Sequence, residues 1–173
     1  MKRLLALCFL FAATLWAQPV KIGVLLPLSG AESWWGEPMR DSILLAYEDL
    51  GLKKENYELI FEDWEGNWTK LPLSTKKLLE IDKVDALINS FDKAGYIVAP
   101  MAKRAKVPHL VLALDDRCAD GEFNYAVWTP VSQTTRLLLQ KAHKEGHQKL
   151  ALFILKDYFP YRSELEIKKQ LKD

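Results

Sequence analysis

The chain has 173 residues, with 24 basic and 23 acidic side chains, a formal net charge of +1 and 49% hydrophobic residues. That balance excludes a basic nucleic-acid arm and a disordered acidic tail, so nothing in it recommends a nucleic-acid partner. The length suits one hydrophobic core, since domains commonly run to about 100–150 residues.

Residues 1–17 have the layout of a secretory signal peptide. Lys2 and Arg3 supply charge, Leu4 to Trp16 is apolar, and Ala17 is a small residue before the first polar turn. The run is short of the roughly 20 apolar residues that a spanning helix needs. Cleavage is therefore placed between Ala17 and Gln18, and the mature chain is expected to be exported and soluble, without stable membrane insertion. Cys8 lies within the signal, so Cys118 is the one cysteine that survives export and has no internal disulfide partner.

After the signal, Ile22 to Leu26 reads as an apolar strand running into a Pro27 to Gly30 turn, then an aromatic loop holding Trp34 and Trp35, then a helix opened by Pro38 and extending over about Glu37–Leu50. Its apolar face is Ile43, Leu44, Ala46, Tyr47 and Leu50, and Gly51 is the stop. A second strand follows over Tyr57–Glu62. The loop Trp64 to Trp68 leads to a helix over about Lys70–Glu80. Asp85–Asn89 is a third strand, apolar enough to be buried on both faces. Ser90 to Gly95 is a turn, Tyr96–Ala105 a helix and Val107–Leu114 a fourth strand. Asp115 to Asn124 is polar and irregular; Tyr125–Trp128 is a short strand, and Thr134–Glu145 a helix with Leu137, Leu138 and Ala142 inward. Lys149–Leu155 is a strongly apolar strand and Arg162–Leu171 a last amphipathic helix. This alternation is the signature of an α/β fold, an open mostly parallel sheet with crossover helices. The Lys149–Leu155 strand needs neighbours that nothing after it supplies, which implies a second unit begun but incomplete.

Three stretches resemble a known family. VKIGVLLPLSGAESWWGE is similar to the first strand, the P-L-[ST]-G turn and the aromatic-Gly-Glu segment of type I periplasmic substrate-binding proteins, the branched-chain amino-acid receptor family of ABC transporters. AGYIVAPMAKRAKVPHLV resembles that family's helix ending in A-x-x-P-x-A and leading to V-P-x-[IL]-[IV]. YAVWTPVSQTTR resembles the segment crossing from the first lobe to the second. The resemblance implies two α/β lobes around a ligand cleft, a small-molecule ligand, a membrane permease as partner, and no cofactor. It divides the chain into a signal at 1–17, a first lobe at 18–133, and a crossing helix with the start of a truncated second lobe at 134–173.

The candidate ligand-binding residues are Ser29, Trp35, Ser90, Asp92, Lys93, Ala113 and Asp115. Ser29 and Gly30 let backbone approach a ligand, or simply make a tight turn. Two adjacent indoles in a loop are costly to leave in water, and aromatic walls suit apolar or ring-bearing ligands. The resemblance implies that Trp35, just before Gly36 and Glu37, packs on the ligand. The third-strand exit departs from the Ser-rich family turn. If Asp92 caps a helix beginning near Lys93, its carboxylate takes the amides an anion would use, which puts amino-acid recognition in doubt. Lys93 either restores anion binding or is a solvated lysine. Ala113, Leu114, Asp115 and Asp116 replace small and hydroxyl residues at the fourth exit. The two carboxylates there favour a cationic or polyhydroxylated ligand, an internal pair with Lys93 or Arg117, or a solvated loop.

Other chemistry is poorly supported. No dinucleotide, P-loop, nucleophile-elbow or H-E-x-x-H motif is present, so no catalytic residue is assigned and the chain is read as a non-enzyme. His109, His143 and His147 are read as surface histidines rather than metal ligands, and Asp116 to Val127 fails as a calcium loop because Cys118 and Val127 stand where oxygen ligands belong. The expectation is a solute-binding receptor of an ABC-type uptake system. Its rivals are the same fold used as a ligand-sensing or envelope-regulating module, and an exported α/β enzyme.

Overall fold

The structure is a computed structural model that describes residues 18–153 and 158–171. Five parallel strands form one sheet in the order β2-β1-β3-β4-β5, with β1 at Val20–Leu26, β2 at Tyr57–Asp63, β3 at Ala86–Ser90, β4 at His109–Leu112 and β5 at Asn124–Ala126. The helices are α1 (Ser33–Asp49), α2 (Leu71–Lys76, continued by a wide π turn over Lys77–Asp82), α3 (Asp92–Ala105), α4 (Val131–Lys144) and α5 (Tyr158–Gln170). The first connection leaves β1 toward β2 and the next returns to the other side at β3. The point where the strand order reverses therefore lies between β1 and β3.

Period-2 alternation assigns the two faces. Gly23 and Leu25 of β1 register with Leu87 and Asn89 of β3, and these with His109 and Val111 of β4. That face is the core: Leu25, Leu87, Leu71, Leu78, Val98 and Ala102 are buried together beneath α2 and α3. Gly95 lets α3 lie close, because a Cβ there would meet Val111 Cγ2 at 3.0 Å and the Cys118 side chain. Cys118 itself is buried beside Val111 and Ala113.

The α/β alternation expected from the sequence is present, with shifted edges. α1 begins at Ser33, not at about Glu37, so Trp34 and Trp35 are helical rather than in a loop. Trp35 and Gly36 N–H donate to Glu32 O at 3.0 and 3.3 Å, which starts the helix before the proline. α3 begins at Asp92, not Tyr96; Phe91, at φ 73°, turns the chain sharply and accepts from Gly95 N–H at 2.9 Å. Leu137 and Leu138 of α4 are exposed rather than inward, and so are Leu44 of α1 and Leu50 just beyond its end. α5 starts at Tyr158, before the expected Arg162. Residues 149–153 form no ladder, and Phe153 is 98% exposed, so the expected strand is absent over those residues; its last two, 154–155, lie outside the described ones. Apolar composition had suggested a strand, but a ladder needs a partner edge, and this segment meets none among the described residues.

His109 is another departure. Expected at the surface, it is fully buried. Its Nδ1 donates to Asn124 Oδ1 at 2.8 Å, and its Nε2 lies 2.7 Å from the Asn89 side-chain amide, so one ring links β3, β4 and β5. Asn124 in turn donates to Asp120 Oδ2 at 2.9 Å. Burial disfavours the imidazolium and lowers the His109 pKa, against the opposing pull of Asn124 and the Asp120 charge. An imidazole held below its usual value of 6.5 binds fewer protons folded than unfolded, so stability is full above that pH and is lost as pH falls below it. Denaturant unfolding should therefore give a lower midpoint at pH 5.5 than at pH 7.5, and His109→Gln should flatten that slope while costing about 1–3 kcal/mol from the amides left unpaired.

Candidate functional site

Open parallel sheets receive ligands at the carboxyl ends of their strands, where the order reverses. A cleft of about 500 Å³ lies there. Trp34 and Trp35 enter it from the first turn of α1, Trp68 from the loop after β2, Phe91 from the exit of β3, and Trp128 from just beyond β5. Leu112 and Leu114 from the β4 exit complete its apolar wall, and Glu32, Asp92 and Lys93 contribute charge.

The aromatic side chains form a continuous array. Trp35 stands edge-on to Trp34 with ring centres 5.8 Å apart, and is tilted against Phe91 at 6.0 Å and Trp128 at 6.5 Å. Phe91 meets the buried Trp64 edge-on at 6.2 Å, and Trp64 packs on Trp68 at 4.9 Å. Lys93 Nζ lies 4.2 Å from the centre of the Trp68 ring, a cation–π contact. Trp35 Nε1 is shielded from solvent with no hydrogen-bond partner.

Local chemistry explains why α1 delivers its indoles here. A Cβ on Gly36 would fall 2.0 Å from Pro27 O, so the first turn of α1 lies directly on the carbonyl of the turn after β1. Asp63, the last residue of β2, holds that turn: its Oδ1 accepts Leu28 N–H at 2.8 Å and Glu65 N–H at 2.7 Å, and its Oδ2 accepts Ser29 Oγ–H at 2.6 Å. Burial alone would raise the Asp63 pKa, but the Ser29 hydroxyl and the three backbone N–H groups outweigh it and hold it below the usual range.

The expected residues divide. Trp35, Asp92 and Lys93 line the cleft. Ser29 is exposed, with its hydroxyl committed to Asp63, and Ser90 is wholly buried with an unpartnered Oγ. Ala113 is buried against Val111 and Cys118. Asp92 does not cap α3: its Oδ1 accepts Asp115 N–H at 2.5 Å, fastening the β3 exit to the β4 exit. Burial raises its pKa, opposed by the Asp115 and Leu114 N–H groups. Asp115 proves to be an internal pair rather than part of a solvated loop, accepting Arg117 Nε–H at 2.8 Å and its second guanidinium nitrogen at 2.5 Å. Burial works to raise the Asp115 pKa, yet the Arg117 guanidinium and the Tyr96 hydroxyl hold the carboxyl well below its ordinary range. The pair lines a smaller adjoining recess of about 190 Å³ with Ser132, Glu166 and Lys169 from α4 and α5. Cys118 is no nucleophile, since burial, then the Asp92 and Asp115 charges, push its thiol up to about 11. Among the described residues, no group of three or more His, Cys, Asp and Glu side chains could hold a metal ion.

Trp68, Phe91 and Trp128 line the cleft without being among the residues expected there from the sequence. A signal was available: each is an aromatic residue at or just past the end of a strand in an alternating α/β pattern.

A parallel sheet whose switch point opens into an apolar, ion-rimmed cleft defines an open-sheet α/β lobe. The comparisons place it: residues 19–173 match the periplasmic binding protein family model, and the chain belongs to that family. The family and the neighbouring structures are binding proteins, not enzymes. The leucine-binding protein LivK of Thermotoga maritima aligns at TM-score 0.72 and 22% identity, over 88% of this chain and 45% of its own. A solute-binding protein of an ABC transporter from Rhodopseudomonas palustris, solved with 4-hydroxybenzoate, aligns at TM-score 0.74 and 22% identity, over 90% of this chain and 44% of its own. A possible leucine/isoleucine/valine-binding protein from Rhodopirellula baltica aligns at 0.76 and 19% identity, over 90% and 44%. At such identities the likeness is one of fold. The chain spans less than half the length of these proteins. No curated protein matches the sequence.

Two substitutions probe the delivery of α1. Asp63→Ala should cost about 1.5–3 kcal/mol through its lost charge-assisted hydrogen bonds. Gly36→Ala should cost about 3 kcal/mol by forcing α1 off Pro27. Urea titration followed by far-UV circular dichroism measures both.

Proposed function

We propose that the chain provides the first lobe, residues 18–133, and the start of the second, residues 134–173, of an exported solute-binding receptor in an ABC-type uptake system. A small polar or amino-acid-like ligand sits in the cleft at the carboxyl edge of the sheet, and a membrane permease is the partner that reads its binding. Residues 1–17 are the export signal, and the receptor works in the periplasm. It needs no cofactor.

The observation that carries this reading is the cleft at the β1/β3 switch point of a lobe in the periplasmic binding protein family, lined from all five strand exits. Its apolar wall and few ionic groups have the composition of a small-molecule site rather than of a protein interface. Two neighbouring structures hold small solutes, one 4-hydroxybenzoate and another isoleucine, which supports a small-molecule ligand for this reading.

Thermal shift against a panel of amino acids, sugars and organic acids tests the reading: at least one solute should raise Tm by a few degrees at concentrations well above its Kd. Leucine, isoleucine and valine should shift Tm by less than about 1 °C even at such concentrations, because the cleft wall is aromatic and Asp92, in the first turn of α3, sets a carboxylate against an α-carboxylate there. A panel without any stabilising solute sinks the receptor reading, and a large shift with leucine refutes the role given to Asp92. Mass spectrometry of the protein from a periplasmic extract should find Gln18 as its first residue; an uncleaved chain retained in the cytoplasm would overturn the location.

A further inference from the structure

The two ionic residues that open α3 go opposite ways. Asp92 is turned toward β4, where the Asp115 N–H occupies its Oδ1 and its partly buried position penalises its charge. Lys93, one position on, runs toward the β2 loop and rests on Trp68, 4.2 Å from the ring centre. No carboxylate lies within salt-bridge distance of Lys93 among the described residues, unlike Lys70, Lys77 and Lys103, each of which meets an acidic partner. An ammonium kept on an indole face at the wall of an apolar cleft retains hydrogen-bonding capacity for a ligand anion. The Glu32 carboxylate, on the α1 rim, disfavours an anionic group on that side.

The remainder of the wall is flat. Trp35 has the Phe91 ring at 6.0 Å and the Trp128 ring at 6.5 Å between centres, and Trp128 is about half exposed, so its surface is open to a ligand. Ring quadrupoles reward an aromatic guest with offset or edge contacts beyond the area it buries. A quaternary ammonium would also suit indoles, but Lys93 already places a positive charge at this wall, and a second cation would be repelled.

Building on the receptor reading, we propose that the cleft selects a planar aromatic carboxylate, its ring received by Trp35, Phe91 and Trp128 and its carboxylate by Lys93 Nζ. Trp128 and Lys93 are then the specificity-determining residues, one reading the flat ring and the other the charge.

The test is nitrogen–proton NMR of the indole groups of the intact chain, titrated with benzoate, cyclohexanecarboxylate, benzyl alcohol, tetramethylammonium and leucine. Benzoate should move the Trp35 and Trp128 signals with a Kd at least about tenfold lower than cyclohexanecarboxylate, which has the same charge and no ring face. Lys93→Met, which keeps an aliphatic stem over Trp68, should weaken benzoate by about tenfold and benzyl alcohol by less than about twofold. Trp128→Leu should weaken both by about threefold or more. Equal affinity for benzoate and cyclohexanecarboxylate, an unchanged benzoate Kd in the Lys93→Met protein, or tighter binding of tetramethylammonium each overturns the proposal. Leucine binding with benzoate silent removes the proposal and leaves the receptor reading standing; silence toward all five probes and toward the thermal-shift panel removes both.

Discussion

The carbonyl oxygen of Pro27 occupies the space that a side chain at position 36 would need, 2.0 Å from the place of its Cβ. Because that residue is glycine, the first turn of α1 can seat itself on the turn after β1, and the helix leaves the sheet at an angle set by backbone contact. Trp34 and Trp35 precede this point, so their positions follow from it. The same turn is held from β2 by the Asp63 carboxylate, which gathers the N–H groups of Leu28, Ser29 and Glu65. The loops after β1 and β2 are thus tied to each other at the edge of the cleft.

A second piece is built at the β3 and β4 exits. The positive φ of Phe91 starts α3 abruptly and aims the Phe91 ring into the aromatic array. Asp92 then ties the start of α3 to the backbone of Asp115, while Asp115 pairs with Arg117. These carboxylates stabilise the site's frame. Consumption of acidic groups by the framework leaves Lys93 as the cation that borders the cleft, which reverses the electrostatic expectation raised by a count of aspartates at the sheet edge. Beneath, His109 joins three strands through Asn89 and Asn124, so the short strands β4 and β5 are held by side-chain as well as backbone hydrogen bonds.

Much of the fold was legible because hydrophobic period and length report directly on strands and helices. β1, β2 and β3 lie within two residues of expectation, since each is a short apolar run with clear turn residues beyond it. The failures share one cause. α1 and α3 begin four residues earlier than local signals suggested, as Glu32, Phe91 and the close approach at Gly36 and Gly95 are visible only once the helix meets the sheet. Lys149–Phe153 has strand composition but no ladder, because a strand is a property of a pair. For the site, Trp35, Asp92 and Lys93 reached the cleft, whereas Ser29 and Ser90 were drawn into the scaffold and Ala113 into the core.

The sequence by itself determined the α/β class, the order of elements and the place of the first strand exit at the cleft edge of the sheet, since these depend on patterns within ten or so consecutive residues. Only the tertiary structure decided which side chains share the cleft and which charges are free in it. Trp35, Trp68, Phe91 and Trp128 are separated by up to 93 positions and meet because parallel strands all end at one edge, a consequence of sheet order that no local window contains.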